Sequence, residues 1–131
     1  MTVENWSESS RRERALSGKR VLLVEDEVLV LMALQDMVTD LGCQIAGSAM
    51  AVQEALELAR RVDADLAVLD MNLNGQPVTP VAELLAAREI PFIFASGYDQ
   101  PGGAAFADRQ RIRKPYDARK LSAALLAAIT P

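Results

Sequence analysis

The chain has 131 residues, half of them hydrophobic, which fits one domain with an apolar core large enough to need no disulfide staples. Its 14 basic residues are outnumbered by 18 acidic ones, and a formal charge of -4 offers no basic face to nucleic acid. The lack of histidine excludes histidine triads, histidine metal sites and phosphorylation on a histidine of its own, while the single cysteine, Cys43, cannot form an internal disulfide and fits a reducing cytoplasm.

Residues 1–18 read as a polar N-terminal tail, expected to be flexible, with Trp6, Ala15 and Leu16 as its only packing side chains. The tail lacks the apolar stretch of a secretory signal, and no run in the chain approaches the ~20 apolar residues of a membrane span. From Lys19 to Pro131 the pattern is that of a folded domain. Arg20–Val24 is a short continuous apolar run, as in a strand buried on both faces. Residues 28–41 follow with helical spacing, carried by Val30, Ala33, Leu34, Met37, Val38 and Leu41, and Gly42 stands where a helix stops. Cys43–Ser48 is a second strand, residues 51–61 a second helix and Leu66–Leu69 a third strand. Gly75 marks a loop, Pro80–Arg88 a helix with proline in its first turn, and Phe92–Ala95 a fourth strand. Gly102 and Gly103 interrupt any helix after it; Gln110–Lys114 is a fifth strand, and Asp117 caps a last helix to Ile129. Strand and helix alternate five times, which predicts an α/β fold, a doubly wound parallel sheet with helices on both faces. Function in such a sheet lies outside the carboxyl ends of the strands.

Those ends carry a narrow set of polar residues. Glu25 and Asp26 follow the first strand, Asp70 ends the third, Ser96 follows the fourth and Lys114-Pro115 ends the fifth. Alone, each has a plain structural reading: an acidic pair at a helix start, a loop cap, a turn. Together at one edge they describe a site for phosphoryl chemistry. Carboxylates at 25, 26 and 70 form a hard-oxygen cluster suited to magnesium, with the backbone carbonyl of Asn72 as a further donor. Crowding three carboxylates calls for an offsetting charge, from the cation or from Lys114. Asp70 can act as nucleophile toward phosphorus, with Lys114 and the Ser96 hydroxyl meeting phosphoryl oxygens.

At this point the sequence resembles the receiver domains of two-component response regulators. The resemblance covers Lys19 to Ile129 and rests on Val21-Leu-Leu-Val-Glu-Asp26, Leu69-Asp-Met-Asn-Leu-Asn-Gly75, Phe94-Ala-Ser-Gly97 and Arg113-Lys-Pro-Tyr116. It implies a flavodoxin-like (β/α)5 fold with strand order 2-1-3-4-5. It makes Glu25 and Asp26 the metal-binding pair, Asp70 the phosphoacceptor, Ser96 the hydroxyl switch and Lys114 the lysine of the family, joined to Pro115 by a cis bond. Pro91-Phe-Ile-Phe-Ala-Ser-Gly-Tyr98 is similar to stand-alone bacterial receivers with a Phe-Ala-Thr-Gly-type signature, with serine in place of threonine. One departure stands out: three positions before the lysine, where ordinary receivers carry an aromatic switch, this chain has Arg111. Tyr98 and Tyr116 are the candidate substitutes, and residues 98–109, with Pro101, Gly102 and Gly103, are expected to be the responsive segment.

The expected function is that of a single-domain response regulator rather than an enzyme in its own right. It takes its phosphoryl group from a histidine kinase or histidine phosphotransfer protein, uses Mg2+, and signals by a change of shape to a downstream protein, as a monomer or weak dimer. Pro131 follows the last helix at once, so output is expected through contact with another protein. Val28, Leu29, Leu31 and Met32 are surplus to the helical stripe, and Val28, Leu31 and Met32 are the expected docking residues. The alternative is a pseudo-receiver that binds without phosphorylation, which a complete acceptor site argues against. A haloacid-dehalogenase-type phosphatase wants a second acid where Asn72 stands, and a dinucleotide-binding module wants glycines where Glu25-Asp26-Glu27 stands.

Overall fold

The computed structural model describes residues 14–97 and 106–130. Its elements, in chain order, are β1 (Arg20–Val24), α1 (Val28–Asp40), β2 (Gln44–Ala49), α2 (Val52–Arg61), β3 (Leu66–Asp70), β4 (Asn72–Leu73), β5 (Gln76–Pro77), α3 (Thr79–Ala87), β6 (Phe92–Ser96), β7 (Arg111–Arg113) and α4 (Ala118–Ile129). The main sheet has the order β2-β1-β3-β6-β7 with every pair parallel. Counting only its five strands, this is the expected 2-1-3-4-5. The small antiparallel pair β4–β5 was not expected from the sequence.

Period-two alternation along the buried strands divides the core in two. Leu22, Val24, Ala67, Leu69, Phe92 and Phe94 face one way, onto α2 and α3. Val21, Leu23, Leu66, Val68, Ile93 and Ala95 face the other, onto α1 and α4. The helices are tied off by local backbone chemistry. At the end of α1, Gly42 (φ 87) lets its own N–H reach the Thr39 carbonyl and the Cys43 N–H reach that of Val38, the two bonds of a Schellman motif. Asp117 caps α4 by accepting from the Lys120 N–H at 2.8 Å.

Two expectations are corrected here. The N-terminal tail is not unattached along its whole length: Leu16 is fully buried in the α1/α4 core, its carbonyl accepts from Cys43 Sγ at 3.4 Å, and the Gly18 N–H donates to the Gly42 carbonyl. Leu16, one of the tail's few apolar side chains, is held by its burial in this core. The buried stripe of α1 is also rotated from its expected phase. Leu31, Leu34 and Val38 are its buried residues, while Val30 is half-buried and Ala33 exposed. Leu31 therefore belongs to the core and not to a docking surface, because the 31/34/38 row is the one that faces the sheet.

These burials make a stability prediction. Leu16→Ala is expected to destabilise the chain by about 2–5 kcal/mol in urea denaturation, as for other buried leucines. Leu29→Ala, at a site 77% exposed, should cost less than about 0.5 kcal/mol. Equal losses would contradict the packing described.

Candidate functional site

The carboxyl edge of the sheet gathers the acidic residues. β1 ends at Val24, and the Glu25 N–H donates to the Ala49 carbonyl at 3.0 Å, which holds Glu25 against the end of β2. Asp70 closes β3 in register with Ala95 of β6. β7 pairs with β6, and the Lys114 N–H donates to the Ser96 carbonyl at 2.9 Å, so the lysine is carried to the same edge. Glu25 (1% exposed), Asp70 (4%) and Ser96 (6%) are the buried polar residues there.

Lys114 Nζ lies 2.5 Å from Glu25 Oε1 and 3.1 Å from Asp70 Oδ2. The remaining carboxylate oxygens take main-chain donors: the Glu27 N–H meets Glu25 Oε2 at 3.0 Å, the Asn72 N–H meets Asp70 Oδ1 at 3.4 Å, and the Asn74 N–H meets Asp26 Oδ2 at 2.8 Å. Burial pushes Glu25 up to about 7, against the pull of its hydrogen bonds from Lys114 and the Glu27 N–H. Burial likewise raises Asp70, outweighing Lys114. Asp26 moves the other way: burial opposes its ionisation, but the Asn74 N–H and neighbouring hydrogen bonds prevail and lower it. For Lys114 burial favours the neutral amine, yet Glu25 and Asp70 overcome it and raise the ammonium above its usual value.

One carboxylate oxygen from each of Glu25, Asp26 and Asp70 lies within 4.8 Å of the others. An all-oxygen anionic set of this kind fits a hard divalent cation such as magnesium and not a soft one.

Beside the cluster runs a groove of about 530 Å³ between α1 and the Lys114–Tyr116 loop, lined by Leu29, Val30, Ala33 and Met37 on one side and by Pro115 and Tyr116 on the other. Val28, Leu29 and Met32 stand exposed along α1. The Tyr116 hydroxyl is buried without a hydrogen-bond partner among the described residues; burial and the nearby Glu25 push it up to about 12. The Lys114–Pro115 bond is cis.

The structure thus brings Glu25, Asp26, Asp70, Asn72, Ser96, Lys114 and Tyr116 to one edge. Tyr98 and most of the segment expected to respond, residues 98–105, lie outside the described residues. The described end of that segment is packed: the Phe106 ring meets Phe92 edge-on at 5.4 Å, and Arg109 lies 4.5 Å over the Phe92 ring. Arg111 lies 5.9 Å over the Phe94 ring. Sequence reasoning named Leu29 as surplus to the buried stripe but did not count it among the docking residues, although it is the most exposed apolar residue of α1, and it missed Asn74. The Asn74-Gly75 dipeptide was a legible signal for a tight hairpin, but nothing in the sequence shows that its amide reaches Asp26.

The sequence model of the response regulator receiver domain matches residues 21–126. Among curated proteins, the transcriptional regulatory protein PdtaR of Mycobacterium tuberculosis is 34% identical over 83 residues, 63% of this chain and 40% of its own length. The phyllosphere-induced regulator PhyR of Methylorubrum extorquens is 28% identical over 93% of this chain and 48% of its own length. The chain therefore spans less than half the length of these relatives. Among solved structures, SdrG from Sphingomonas melonis Fr1 matches with a TM-score of 0.79 and 39% identity, covering 86% of this chain and 98% of that one. A BeF3-activated conformation of SdrG matches with a TM-score of 0.74 and 38% identity, over 87% of this chain and 98% of that one.

The raised carboxylates make a pH prediction for the metal-free chain. A carboxyl whose folded value lies above its unfolded one binds its proton more tightly when folded, so stability falls as pH rises between the two values. For Glu25 that window runs from the ordinary 4.5 to about 7, where no histidine titrates to obscure it. Urea midpoints measured in chelator should fall from pH 5 to pH 7, and Glu25→Gln should flatten the trend. A midpoint that rises across this window, or a slope unchanged by Glu25→Gln, would contradict the assignment.

Proposed function

Because the chain belongs to the response regulator receiver domain family, a family of signalling modules, we propose that it accepts a phosphoryl group on Asp70 from a histidine kinase or histidine phosphotransfer protein and relays the event to a protein partner by a change of shape. The observation that carries this reading is the Asp70 carboxylate, buried at the carboxyl edge of the sheet and held by Lys114 Nζ at 3.1 Å. One of its oxygens attacks phosphorus, the bond from phosphorus to the donor nitrogen breaks, and an acyl phosphate is left on the chain.

Glu25, Asp26, Asp70 and the Asn72 carbonyl are the groups that would hold Mg2+, which when bound offsets negative charge on the transferred group. Lys114 gives its positive charge to a phosphoryl oxygen in exchange for the Asp70 oxygen that becomes esterified. The Ser96 hydroxyl, at the end of the neighbouring strand, donates to another. Serine supplies the same hydroxyl as threonine in this role. That SdrG, 38% identical, has a BeF3-activated conformation supports reading this chain as one that takes up an activated conformation.

Arg111 is exposed and stacked on Phe94, so the response does not run through a ring at that position. Tyr116, with its buried unpartnered hydroxyl beside Lys114, is the candidate to respond when the lysine moves, together with Tyr98. The exposed apolar residues Val28, Leu29 and Met32 of α1, of which Leu29 also lines the groove, are the proposed docking surface for the phosphodonor; Leu29 takes the place of Leu31.

Asp70→Asn should abolish labelling by acetyl phosphate in magnesium, read by intact-mass spectrometry. Labelling of that variant at the wild-type rate would refute the acceptor assignment and favour binding without phosphorylation. Leu29→Glu combined with Met32→Glu should slow transfer from a cognate kinase at least about tenfold, the scale of a lost interface hot spot, while leaving acetyl phosphate labelling intact. Wild-type transfer rates in the double variant would remove α1 from the docking surface.

A further inference from the structure

The β4–β5 hairpin contributes to the acidic edge in a way its own pairing does not require. Asn72 pairs with Pro77 and Leu73 with Gln76, leaving Asn74 and Gly75 as the two turn residues. Their φ angles, 53 and 86, are the two positive values of a type I′ turn. In such a turn the N–H of the first central residue takes no part in the ladder. Here it reaches Asp26 Oδ2 at 2.8 Å, from a residue 48 positions along the chain.

The hairpin that aims this N–H is anchored. Leu73 (1% exposed) and Val78 (2%) are plugged into the α2/α3 core, and the Val78 N–H donates to the Met71 carbonyl at 3.0 Å. Asp26 itself lies in the short Glu25–Glu27 connection between β1 and α1, beside the Glu25 and Asp70 carboxyls. The donor that reaches it from outside this cluster is a main-chain N–H supplied by the loop after β3.

We propose that the Asn74 main-chain N–H is a positioning group that occupies Asp26 Oδ2, presents the carboxylate to a divalent cation through its other oxygen, and so favours magnesium over calcium. Magnesium demands compact octahedral geometry and takes carboxylates through single oxygens, whereas calcium accepts both oxygens of one carboxylate at longer range. An N–H fixed on one oxygen opposes the two-oxygen mode. Donors that orient a ligand from behind set metal affinity in many sites. The inference rests on reading Glu25, Asp26 and Asp70 as the cation site.

Gly75 gives a clean handle on the turn. A Cβ added there meets nothing within 4 Å, so a substitution acts only through the backbone angle. Valine resists positive φ, whereas asparagine adopts it readily. The experiment titrates Mg2+ and Ca2+ by calorimetry into the wild-type chain, Gly75→Val and Gly75→Asn, and measures Asn74 amide hydrogen exchange by NMR with and without each ion. Gly75→Val should bind Mg2+ about tenfold more weakly, the lower end of the usual effect of losing an orienting partner, with Ca2+ affinity changed less than about twofold. Gly75→Asn should restore the wild-type ratio, and the Asn74 amide should stay protected when Mg2+ is added. Equal losses for both ions in Gly75→Val, or faster exchange at Asn74 on adding Mg2+, would overturn the proposal. Should Gly75→Val fail to fold, the wild-type exchange measurement decides. A wild-type chain that binds no Mg2+ would instead overturn the cation-site reading, and it would show before any variant is made.

Discussion

Lys114 holds this molecule's carboxyl edge together. A single ammonium faces Glu25 and Asp70 at 2.5 and 3.1 Å, and Asp26 adds a third carboxylate within reach of a common cation. One half-buried positive charge faces three acids. Burial raises Glu25 and Asp70, and the amides of Glu27, Asn72 and Asn74 are all turned toward carboxylate oxygens. An edge left short of positive charge is one that gains from a divalent cation, and in the proposed function Lys114 is the group that meets the phosphoryl group on Asp70. The same electrostatics that make the site costly in the resting chain make it responsive.

The parallel sheet makes such crowding possible. Apolar strands buried on both faces fix β1, β3 and β6 side by side, and the edge strand β7 pairs onto β6, so residues far apart in sequence arrive at one edge. Lys114 depends most on this, because its strand is short and its place is secured by one main-chain bond to Ser96. The β4–β5 hairpin adds a second layer of control from outside the sheet, by fastening the loop after β3 to the loop after β1.

The surface beside the site has a different character. α1 buries Leu31, Leu34 and Val38, lines an apolar groove with Leu29, Val30, Ala33 and Met37, and leaves Val28, Leu29 and Met32 in solvent. A helix with apolar residues on both its core and its outer side is suited to meet another helix. On the far edge Arg111 lies over Phe94, a cation on an aromatic face where the family resemblance leads one to expect a ring. That exchange moves the question of coupling to Tyr116 and the loop after β6.

The sequence by itself determined the α/β alternation and the set of residues at the carboxyl edge, while the strand order came from the family resemblance. It could do so because buried parallel strands read as unbroken apolar runs, and because Glu25, Asp26, Asp70, Ser96 and Lys114 follow directly from strand ends. Gly42 and Asp117 were legible for the same local reason, since a left-handed stop and a side-chain cap are properties of single residues. What only the tertiary structure decided depends on neighbours distant in sequence. The face that α1 turns to the sheet placed Leu31 inside and Leu29 outside, although both fit a helical pattern. The α1/α4 core took Leu16 out of an otherwise polar tail. The aim of the Asn74 amide at Asp26 required a hairpin anchored by Leu73 and Val78, whose position the α2/α3 core sets. A period tells which residues share a helix face, but the direction of that face, and the reach of a backbone N–H across two loops, come from packing.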